Sequence, residues 1–457
     1  LGKTTIALGI IGAWRKQGKR IAPFKKGPDY IDAGWLGAAA GRLCYNLDLF
    51  LMEEESMLRS FEQHTAGADA AVIEGNRGLF DGVDEAGTFS TARLARQLRA
   101  PAVLIVDCTK STSTVAAVVL GCKAFDPDVH LGGVILNNVS SARHESVIRK
   151  AIAQAADVLV LGAIPRLKQS EFPERHLGLT PFHEHPDVER AIGAAVSVAE
   201  NHLDLVALWQ LAQAAPPTAP VQVANEGGMP RAGSAGQQGP VIGVIRDSAF
   251  QFYYPDNIEA LEQRGAVIRE VNALRDLEIP EVDALYIGGG FPETQAAELA
   301  ANSTFCQSLK SAAENGLPIY AECGGLIYLG RSLRTGDKEY PMTSVLPLDF
   351  VLEKKPQAHG YTVLEITQKN PFFDIGSTLK GHEFHYSHIV NTADIPSMAF
   401  TIRRGHGIDG THDGILYKNV LATYTHLHAA GTPAWADGMV RSARSYRNSL
   451  GQGVASS

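Results

Sequence analysis

The chain has 457 residues, 45% of them hydrophobic and 20% charged, and a formal net charge of −8. At roughly 100–200 residues per domain, this length predicts two or three domains. The acidic balance argues against a nucleic-acid-binding protein, because binding to phosphates needs clustered positive charge. Five cysteines, without Cys-x-x-Cys spacing, indicate free thiols in a reducing, cytoplasmic compartment. Neither a bilayer-spanning apolar run nor a secretory signal peptide is visible, so no membrane association is expected.

The first half alternates strand-like with helix-like stretches. The pattern predicts a helix over residues 4–17 and short apolar strands over residues 20–24, 70–73, 102–106, 132–136 and 158–164. Continuous apolar strands separated by helical lengths indicate a parallel sheet covered on both faces. In such α/β sheets, ligands bind at the carboxyl ends of the strands. Glu74, Asp107 and Asn137 directly follow such predicted ends.

A segment without hydrophobic periodicity separates the two halves. Residues 212–239 are rich in Ala, Pro, Gly and Gln, which is typical of a flexible linker. After it the alternation resumes, with predicted strands over residues 241–245, 266–271, 284–287 and 318–321 and a final part rich in short strands and His. The sequence therefore predicts two α/β domains joined by a linker, with boundaries at 1–211, 212–239 and 240–450 and a tail over 451–457.

A phosphate-binding motif opens the chain. Gly2, Lys3, Thr4 and Thr5, followed by the predicted helix, match the end of the P-loop pattern GxxxxGK[ST]. Because the chain does not open with Met, we expect its true N-terminus and the first half of this motif to be missing. A helix N-terminus attracts phosphate, Lys3 would bridge the β- and γ-phosphates, and the Thr4 hydroxyl would bind Mg²⁺. The alternative is an ordinary helix start with a stray Lys.

Carboxylates follow two of the predicted strands. Asp29 and Asp32 stand in the segment FKKGPDYID, and Glu74 and Asp81 stand in the segment IEGNRGLFDG. Carboxylate oxygens at strand ends beside a P-loop are suited to bind Mg²⁺. Asp and Gly also make ordinary turns, and for Asp29 and Asp32 taken singly this is a serious alternative. For Glu74, directly after a buried strand, the sequence favours the metal.

The second half contains a candidate thiol nucleophile. Cys323 lies between a predicted strand and a helix that Gly324 opens, in the segment PIYAECGGL. This spacing resembles a nucleophile elbow, in which a sharp strand-to-helix turn exposes the side chain and the helix N-terminus favours the thiolate. The alternative is that Cys323 is a small buried hydrophobic residue, as we expect for the other four cysteines.

Such a nucleophile needs two further parts. Gly289 and Gly290, at the end of another predicted strand, together with Gly324 are candidates for an oxyanion hole. His426 and His428, near the C-terminus, are candidates for the base. Either His could instead be structural. The His-x-His spacing also suits a metal on a strand, although the sequence has no Cys or further His nearby to complete a zinc site.

Together these motifs resemble the cobyrinate a,c-diamide synthase family over nearly the whole chain. The resemblance is carried, in chain order, by the P-loop remnant, FKKGPDYID, EGNRGLFDG, PERHLGL, GGGFPE, AECGG, GHEFHYS and the terminal His-x-His. It implies an N-terminal ATP-dependent synthetase domain, similar to dethiobiotin synthetase, and a C-terminal class I glutamine amidotransferase domain. It also implies amidation of the a- and c-acetate carboxylates of the corrin precursor cobyrinic or hydrogenobyrinic acid in cobalamin biosynthesis, with ATP, Mg²⁺ and glutamine.

The resemblance further implies roles for single residues. It assigns phosphate binding to Gly2, Lys3, Thr4, Thr5 and Lys25, Mg²⁺ binding to Thr4, Asp48 and Glu74, and a place near the substrate or an intermediate to Asp29, Asp32 and Asp81. Cys323 matches the nucleophile and His426 its base. His428 stands where the wider amidotransferase class usually has a Glu that orients the base, which puts a carboxylate partner for His426 in doubt. A homodimer is compatible with the resemblance.

Three alternatives stay open at this point. Within the same class, the chain could be a cobyric acid synthase or an amidase of a nickel tetrapyrrole (nickel-sirohydrochlorin a,c-diamide synthase), although FKKGPDYID and GLFDG favour the first family. From a different class, the first half could be a ParA- or MinD-like ATPase switch, which carries no thiol elbow or distal His. The second half could also bind glutamine without hydrolysing it.

Overall fold

The computed structural model describes residues 2–167, 174–175, 178–179, 182, 185, 187–216, 239–390 and 395–454. Its contacts divide the chain into two compact units, Leu1–Leu49 with Glu53–Gln222, and Phe50–Met52 with Val223–Ser457. Most of the linker predicted over 212–239 lies outside the described residues, as do three of the seven residues of the segment PERHLGL. The last helix of the chain extends to Val454 and so reaches into the residues predicted as a tail.

The first unit opens with helix α1 (Lys3–Lys16), in which Leu8, Ile11 and Trp14 recur at helical spacing and are buried. The other helices of this unit are α2 (Ile31–Ala40), α3 (Glu54–Thr65), α4 (Thr91–Gln97), α5 (Ser113–Phe125), α6 (Ala142–Ala155), α7 (Val188–His202) and α8 (Leu205–Gln213). Its strands are β1 (Ile21–Lys26), β2 (Tyr45–Leu47), β3 (Ala70–Glu74), β4 (Ala102–Asp107), β5 (Leu131–Val139), β6 (Val160–Pro165), β7 (Glu174–Arg175) and β8 (Gly178–Leu179). The helix predicted over residues 4–17 and the five strands predicted in the first half are therefore confirmed to within a few residues.

Two three-stranded parallel sheets, in the orders β2-β1-β3 and β4-β5-β6, organise the first unit. The sequence predicted one parallel sheet, whereas β3 and β4 each lie at the edge of a separate sheet in the structure. Hydrophobic patterns identify strands but not their hydrogen-bonding partners, and this is why the split was not foreseen. Within the first sheet, Lys25 of β1 is in register with Glu74 of β3, so the carboxyl ends of these two strands lie side by side.

The second unit contains more strands and fewer helices. Its strands are β9 (Val241–Ile245), β10 (Phe250–Phe252), β11 (Val267–Val271), β12 (Ala284–Ile287), β13 (Gly289–Gly290), β14 (Ile319–Glu322), β15 (Ser332–Thr335), β16 (Lys338–Pro341), β17 (Asp349–Leu352), β18 (Ala358–Ile366), β19 (Thr378–His385), β20 (Ser387–Ile389), β21 (Met398–Arg404), β22 (His412–Tyr417), β23 (Val420–Thr423) and β24 (His426–Leu427). Its helices are α9 (Pro255–Gln263), α10 (Ala296–Ala301), α11 (Ser303–Glu314), α12 (Gly324–Leu329) and α13 (Pro433–Val454). Across the part of the chain that the structure describes, no helix is both long and apolar enough to cross a membrane.

A ten-stranded mixed sheet, in the order β11-β9-β12-β14-β23-β22-β21-β18-β19-β24, organises the second unit. Strands β11, β9, β12, β14 and β23 run parallel, and the later strands run antiparallel. Leu285 and Ile287 of β12 pack into one buried apolar cluster, whereas Ala284 and Tyr286 pack into another. Alternate residues of one strand thus reach two cores, which explains the continuous apolar run of a strand covered on both faces.

Four cysteines fit the expectation that they are packing residues rather than nucleophiles. Cys44, Cys108 and Cys306 are buried, Cys122 is half-buried, and none of them forms a disulfide. Burial raises the pKa of the Cys108 thiol to about 11, so this thiol stays protonated near neutral pH. Cys323 is buried as well, but it differs from the other four because it stands at a strand-to-helix junction.

Candidate active site

The start of α1 combines a left-handed glycine with the N–H groups of a helix N-terminus, which are suited to bind an anion. Gly2 has a φ of 98°, a left-handed conformation that favours glycine, and its carbonyl accepts the backbone N–H of Ile6 at 3.0 Å. A Cβ atom at this position would lie 2.6 Å from Nδ2 of Asn137, at the end of β5. Lys3 and Thr4 follow in the first helical turn, with backbone N–H groups that have no partner earlier in the helix.

Thr4, Lys25 and Glu74 are brought together at the carboxyl ends of β1 and β3. The Thr4 hydroxyl donates to Oε1 of Glu74 at 2.7 Å, and the Lys25 ammonium lies 3.2 Å from the same oxygen. The ammonium also donates to Oδ2 of Asp32 at 2.7 Å. The Asp32 backbone N–H in turn donates to Oδ1 of Asp29 at 2.8 Å. These distances place five of the residues that the sequence singled out in one hydrogen-bonded cluster.

The electrostatics of this cluster leave it short of positive charge. Burial lowers the pKa of Lys25, but Glu74, Asp32 and Asp29 outweigh this effect and raise it above its ordinary value. Burial, opposed by Lys25, raises the pKa of Glu74 to about 7, and burial together with Asp32 raises the pKa of Asp29 to about 6. One lysine thus serves three neighbouring carboxyl groups, so a further cation would be favourable here.

Glu74 has a free oxygen for such a cation. Its Oε2 atom is buried and accepts no hydrogen bond within the described residues. Those residues also contain no group of three or more His, Cys, Asp or Glu side chains that would enclose a metal on their own. Mg²⁺ characteristically takes one or two protein oxygens and completes its octahedral shell with phosphate and water. The residues present therefore fit Mg²⁺ carried in with a nucleotide.

The remaining residues predicted for this site differ in their surroundings. Asp48 is fully buried and acts electrostatically on the neighbouring Lys26, whose pKa is lowered chiefly by burial. Asp81 is exposed and accepts the backbone N–H of Gly78 at 2.9 Å, as a turn-forming Asp does. Thr5 lies in the first turn of α1. The metal and substrate roles of Asp48 and Asp81 stay predictions. Lys26, which stands in FKKGPDYID, is a buried lysine for which the sequence predicted no role.

In the second unit, Cys323 occupies a sharp turn between β14 and α12. Its backbone has a φ of 47° and a ψ of −96°, which is an uncommon conformation for a residue other than glycine. The Cys323 N–H donates to the Thr423 carbonyl of the neighbouring β23 at 2.7 Å, which holds the turn in place. The strand–turn–helix geometry predicted from AECGG is therefore present, as a nucleophile elbow requires.

The predicted oxyanion-hole glycines lie beside this elbow. A Cβ atom on Gly289 would lie 2.5 Å from Cε1 of His426, so only glycine lets the ring approach this closely. A Cβ atom on Gly324 would lie 3.1 Å from the backbone nitrogen of Gly290. The ends of β13 and β14, which come from separate motifs, therefore meet near Cys323. Donation of their N–H groups to an oxyanion stays a prediction.

His426 is the histidine that reaches the thiol. It lies on β24, is buried, and has its pKa raised by the Cys323 thiol, whose Sγ atom lies 3.9 Å from the Phe384 carbonyl oxygen. Its Nδ1 atom lies 3.5 Å from Oε2 of Glu322, the residue directly before Cys323. Burial lowers the pKa of His426, but Cys323 and Glu322 together raise it to about 10. The pair is thus placed for proton transfer between sulfur and imidazole.

His428 has a different set of partners. Its Nδ1 accepts the backbone N–H of Ala430 at 3.2 Å, and its Nε2 lies 3.5 Å from Oδ2 of Asp256. The ring also packs against Tyr254, with centroids 4.5 Å apart. Alternation along a strand would have put both histidines on one side, but β24 ends at Leu427 and His428 lies beyond it.

Several residues around the thiol were not identified from the sequence. Glu322 stands inside AECGG and His382 inside GHEFHYS, so both motifs carried a signal that was not used. His382 faces His426 across the β19–β24 pair, with rings stacked at 4.9 Å. Asp413 accepts the backbone N–H groups of Tyr424 and Thr425 and so fixes the chain that leads to His426. Nothing in the local sequence around Asp413 or Asp256 signals these contacts.

Each of the two units matches a known protein family. Residues 1–179 match the CobQ/CobB/MinD/ParA nucleotide binding domain, and residues 241–434 match the CobB/CobQ-like glutamine amidotransferase domain. A nucleotide-binding α/β domain followed by a glutamine amidotransferase domain defines an ATP-dependent amidoligase that takes its nitrogen from glutamine.

Relatives of similar length specify the family. The chain is 42% identical to a cobyrinate a,c-diamide synthase from Magnetococcus marinus, over 96% of this chain and 94% of the relative. It is 40% identical to one from Archaeoglobus fulgidus, over 94% and 92%, and 38% identical to one from Methanosphaera stadtmanae, over 97% and 96%. The chain belongs to the cobyrinate a,c-diamide synthase family, and the resemblance inferred from its motifs is confirmed.

Proposed function

We propose that this protein converts the a- and c-acetate carboxylates of cobyrinic or hydrogenobyrinic acid to carboxamides, using ATP and the amide nitrogen of glutamine. Membership of the family supports the reaction. The observation that carries the division of labour is the presence of two unlike clusters. Thr4, Lys25 and Glu74 form a charged cluster in one unit, and Cys323 and His426 form a thiol–imidazole pair in the other.

Glutamine hydrolysis starts at the elbow in this scheme. The Cys323 thiolate attacks the side-chain carbonyl of glutamine, and the N–H groups near Gly289, Gly290 and Gly324 stabilise the oxyanion. His426 then donates its proton to the departing nitrogen, so ammonia leaves and a glutamyl thioester remains. Water, deprotonated by His426, cleaves the thioester to glutamate and restores the thiol.

Activation of the corrin carboxylate belongs to the other cluster. A carboxylate has no usable leaving group, so an oxygen of the substrate attacks the γ-phosphorus of ATP and gives an acyl phosphate and ADP. Ammonia then attacks the acyl carbon, and phosphate leaves to give the carboxamide. Lys3 and Lys25 stabilise the negative charge that spreads over the transferring phosphoryl group. Asp29, Asp32 and Asp81 are proposed to position Lys25, the substrate or the intermediate.

We propose Mg²⁺ as the cofactor of this cluster. Thr4 and Glu74 would hold it, because the Thr4 hydroxyl lies 2.7 Å from Glu74 and a second Glu74 oxygen is unpaired within the described residues. Asp48 is a further proposed ligand. When bound, Mg²⁺ supplies Lewis-acid stabilisation of phosphate charge. We also place the reaction in the cytoplasm, where a reducing environment keeps the five free thiols reduced.

Product analysis tests this function. The full-length protein is incubated with Mg-ATP, glutamine and, in separate reactions, cobyrinic acid, hydrogenobyrinic acid, a corrin a,c-diamide or nickel-sirohydrochlorin, and the products are identified by mass spectrometry. We expect two amidations of cobyrinic or hydrogenobyrinic acid and none of the preformed a,c-diamide. Exclusive amidation of the a,c-diamide would indicate a cobyric acid synthase, and exclusive amidation of nickel-sirohydrochlorin would indicate the nickel tetrapyrrole enzyme.

A further inference from the structure

Glu322 is a buried carboxyl group inside the amidotransferase unit to which the scheme above gives no role. It is the last residue of β14, directly before Cys323, and its side chain is fully buried. Burying a carboxylate is costly unless its oxygens are paired. The Leu427 N–H donates to Oε1 at 3.1 Å, and the Tyr286 hydroxyl donates to Oε2 at 3.0 Å. Oε2 also lies 3.5 Å from Nδ1 of His426.

These contacts hold Glu322 in one orientation towards His426. Tyr286 comes from β12, and Leu427 is the neighbour of His426 on β24. The carboxylate therefore constrains both the imidazole ring and the backbone that carries it. The positive φ of Cys323 turns the chain after Glu322, so two consecutive residues serve one site from different directions.

The other titratable groups around His426 are poorly suited to orient it. His382 on β19 stacks on the ring, but burial and the neighbouring histidines hold its pKa well below its ordinary value, so it stays neutral. His385, on the same strand, has its pKa lowered to about 4, chiefly by burial. His428 faces Asp256 instead. Among the described residues, the Cys323 thiol and Glu322 are the groups that raise the pKa of His426.

We propose that Glu322 is the positioning residue of His426, taking the role that a carboxylate two residues after the base has in other amidotransferases. In this role, Oε2 of Glu322 accepts the Nδ1–H of the ring and thereby leaves Nε2 to exchange the proton of Cys323. The same carboxylate stabilises the imidazolium while the thiolate attacks. This inference rests on the glutaminase part of the proposed function and names the missing third member of that site.

The His428–Asp256 pair provides an internal comparison. Because Nδ1 of His428 accepts the Ala430 N–H, its proton lies on Nε2, which faces Asp256. Asp256 stands in the first turn of α9, and the next residue, Asn257, binds the Leu427 carbonyl at 2.9 Å. This pair is thus a buried histidine–carboxylate contact without a thiol. Asp256→Asn therefore shows how much glutaminase turnover and Cys323 alkylation change when such a contact close to the site is disturbed.

The test uses Glu322→Gln, Glu322→Asp and Asp256→Asn in the full-length protein, with the exposed Glu314→Gln as a matched control. Glutaminase turnover, ammonium-dependent amidation, and the pH profile of Cys323 alkylation by iodoacetamide are measured. We expect Glu322→Gln to lower glutaminase kcat by about 10²–10⁴-fold, with a much smaller change in KM, because a neutral amide no longer stabilises the imidazolium. The low-pH limb of alkylation should move up by about one pH unit or more.

The controls separate positioning from a loss of structure. Ammonium-dependent amidation in Glu322→Gln should stay near the parent value, and Glu322→Asp should recover part of the glutaminase activity. Asp256→Asn and Glu314→Gln should leave the alkylation profile unchanged. If Glu322→Gln does not fold, the alkylation profile of Glu322→Asp decides in its place.

An unchanged alkylation profile and a glutaminase kcat within threefold of the parent would overturn the proposal. Failure of the proposed function itself is recognised separately, because the parent protein would then show no glutaminase activity at all. The alkylation profile needs no substrate, so it still reports on Glu322 in that case.

Discussion

The two clusters of reactive residues use the same architectural position in different ways. Both stand at the carboxyl ends of parallel strands, at β1 and β3 in the first unit and at β12, β14 and β23 in the second. In the first, Lys25 and Glu74 are register partners on adjacent strands. In the second, Cys323 depends on His426, which arrives on a strand about a hundred residues later. The Lys25–Glu74 ion pair is thus formed within one small sheet, whereas the thiol–imidazole pair joins segments that are far apart in the chain.

This difference sets what each cluster is able to do. In the first cluster, three carboxyl groups surround one lysine, which favours the binding of a further cation together with a phosphate ligand. The second contains a strained turn, a buried histidine and one paired carboxylate, which suits proton transfer to and from sulfur. If the two clusters serve separate half-reactions, substitutions in them should separate the two activities.

The largest separation is expected from Cys323→Ala. The variant should lose glutaminase activity and glutamine-dependent amidation by about 10³-fold or more, because the covalent step has no substitute nucleophile. Amidation with high ammonium should stay close to the parent rate. The amidation rates are measured by product mass, and glutamine hydrolysis is measured by glutamate release. Equal loss with glutamine and with ammonium would refute two separate sites.

The converse separation is expected from Glu74→Gln. Amidation should fall by about 10²-fold or more with either nitrogen source, since the carboxylate that is proposed to hold Mg²⁺ is neutralised. Glutaminase activity should largely survive. The exposed Glu200→Gln, which only removes a surface contact with Lys16, is the matched control and should behave as the parent. Full activity of Glu74→Gln with ammonium would contradict the Mg²⁺ assignment.

A graded loss of glutaminase turnover should distinguish the two histidines. His426→Ala should lower glutaminase turnover by about 10³-fold, whereas His428→Ala should lower it by about tenfold or less, because His428 is paired with Asp256 and not with the thiol. His130→Ala, at an exposed position in the first unit, serves as the control. Cys323 alkylation should lose its low-pH limb only in His426→Ala. The reverse ranking in both assays would make His428 the base.

The smallest effect concerns stability and pH. Asp29 has a folded pKa of about 6 against an ordinary value of 3.8, so the folded protein binds more protons than the unfolded chain between these values. Its contribution therefore becomes less favourable as the pH rises through that window. The Tm of Asp29→Asn should therefore lie about 1–4 °C above that of the parent at pH 7.5, and this difference should be smaller at pH 5. A Tm difference that does not change with pH would show that the pKa of Asp29 is not raised in the folded protein.

The sequence predicted most of the secondary structure because the strands are short continuous apolar runs bounded by Gly, Asp and Asn. It also singled out Lys25 and Glu74, which lie together because they stand at the carboxyl ends of adjacent parallel strands. It did not predict the separation of β3 from β4, since hydrophobicity does not encode strand partners.

The partners of the two histidines could not be predicted for a similar reason. Asp256 and Glu322 reach His428 and His426 through tertiary contacts between segments far apart in the chain. The one local signal was the position of Glu322 beside the nucleophile. The residue two positions after the base is His428, and the carboxylate that contacts the base lies instead directly before the thiol, at Glu322.

Isotope transfer between the two half-reactions tests the central claim most directly. The full-length protein is given cobyrinic or hydrogenobyrinic acid, Mg-ATP, [amide-¹⁵N]glutamine and a low concentration of unlabelled ammonium, and the product is analysed by mass spectrometry. Both new carboxamides should carry ¹⁵N in the parent protein, and in Cys323→Ala the residual product should carry none. A parent product without ¹⁵N, formed while glutamine is being hydrolysed, would contradict the account.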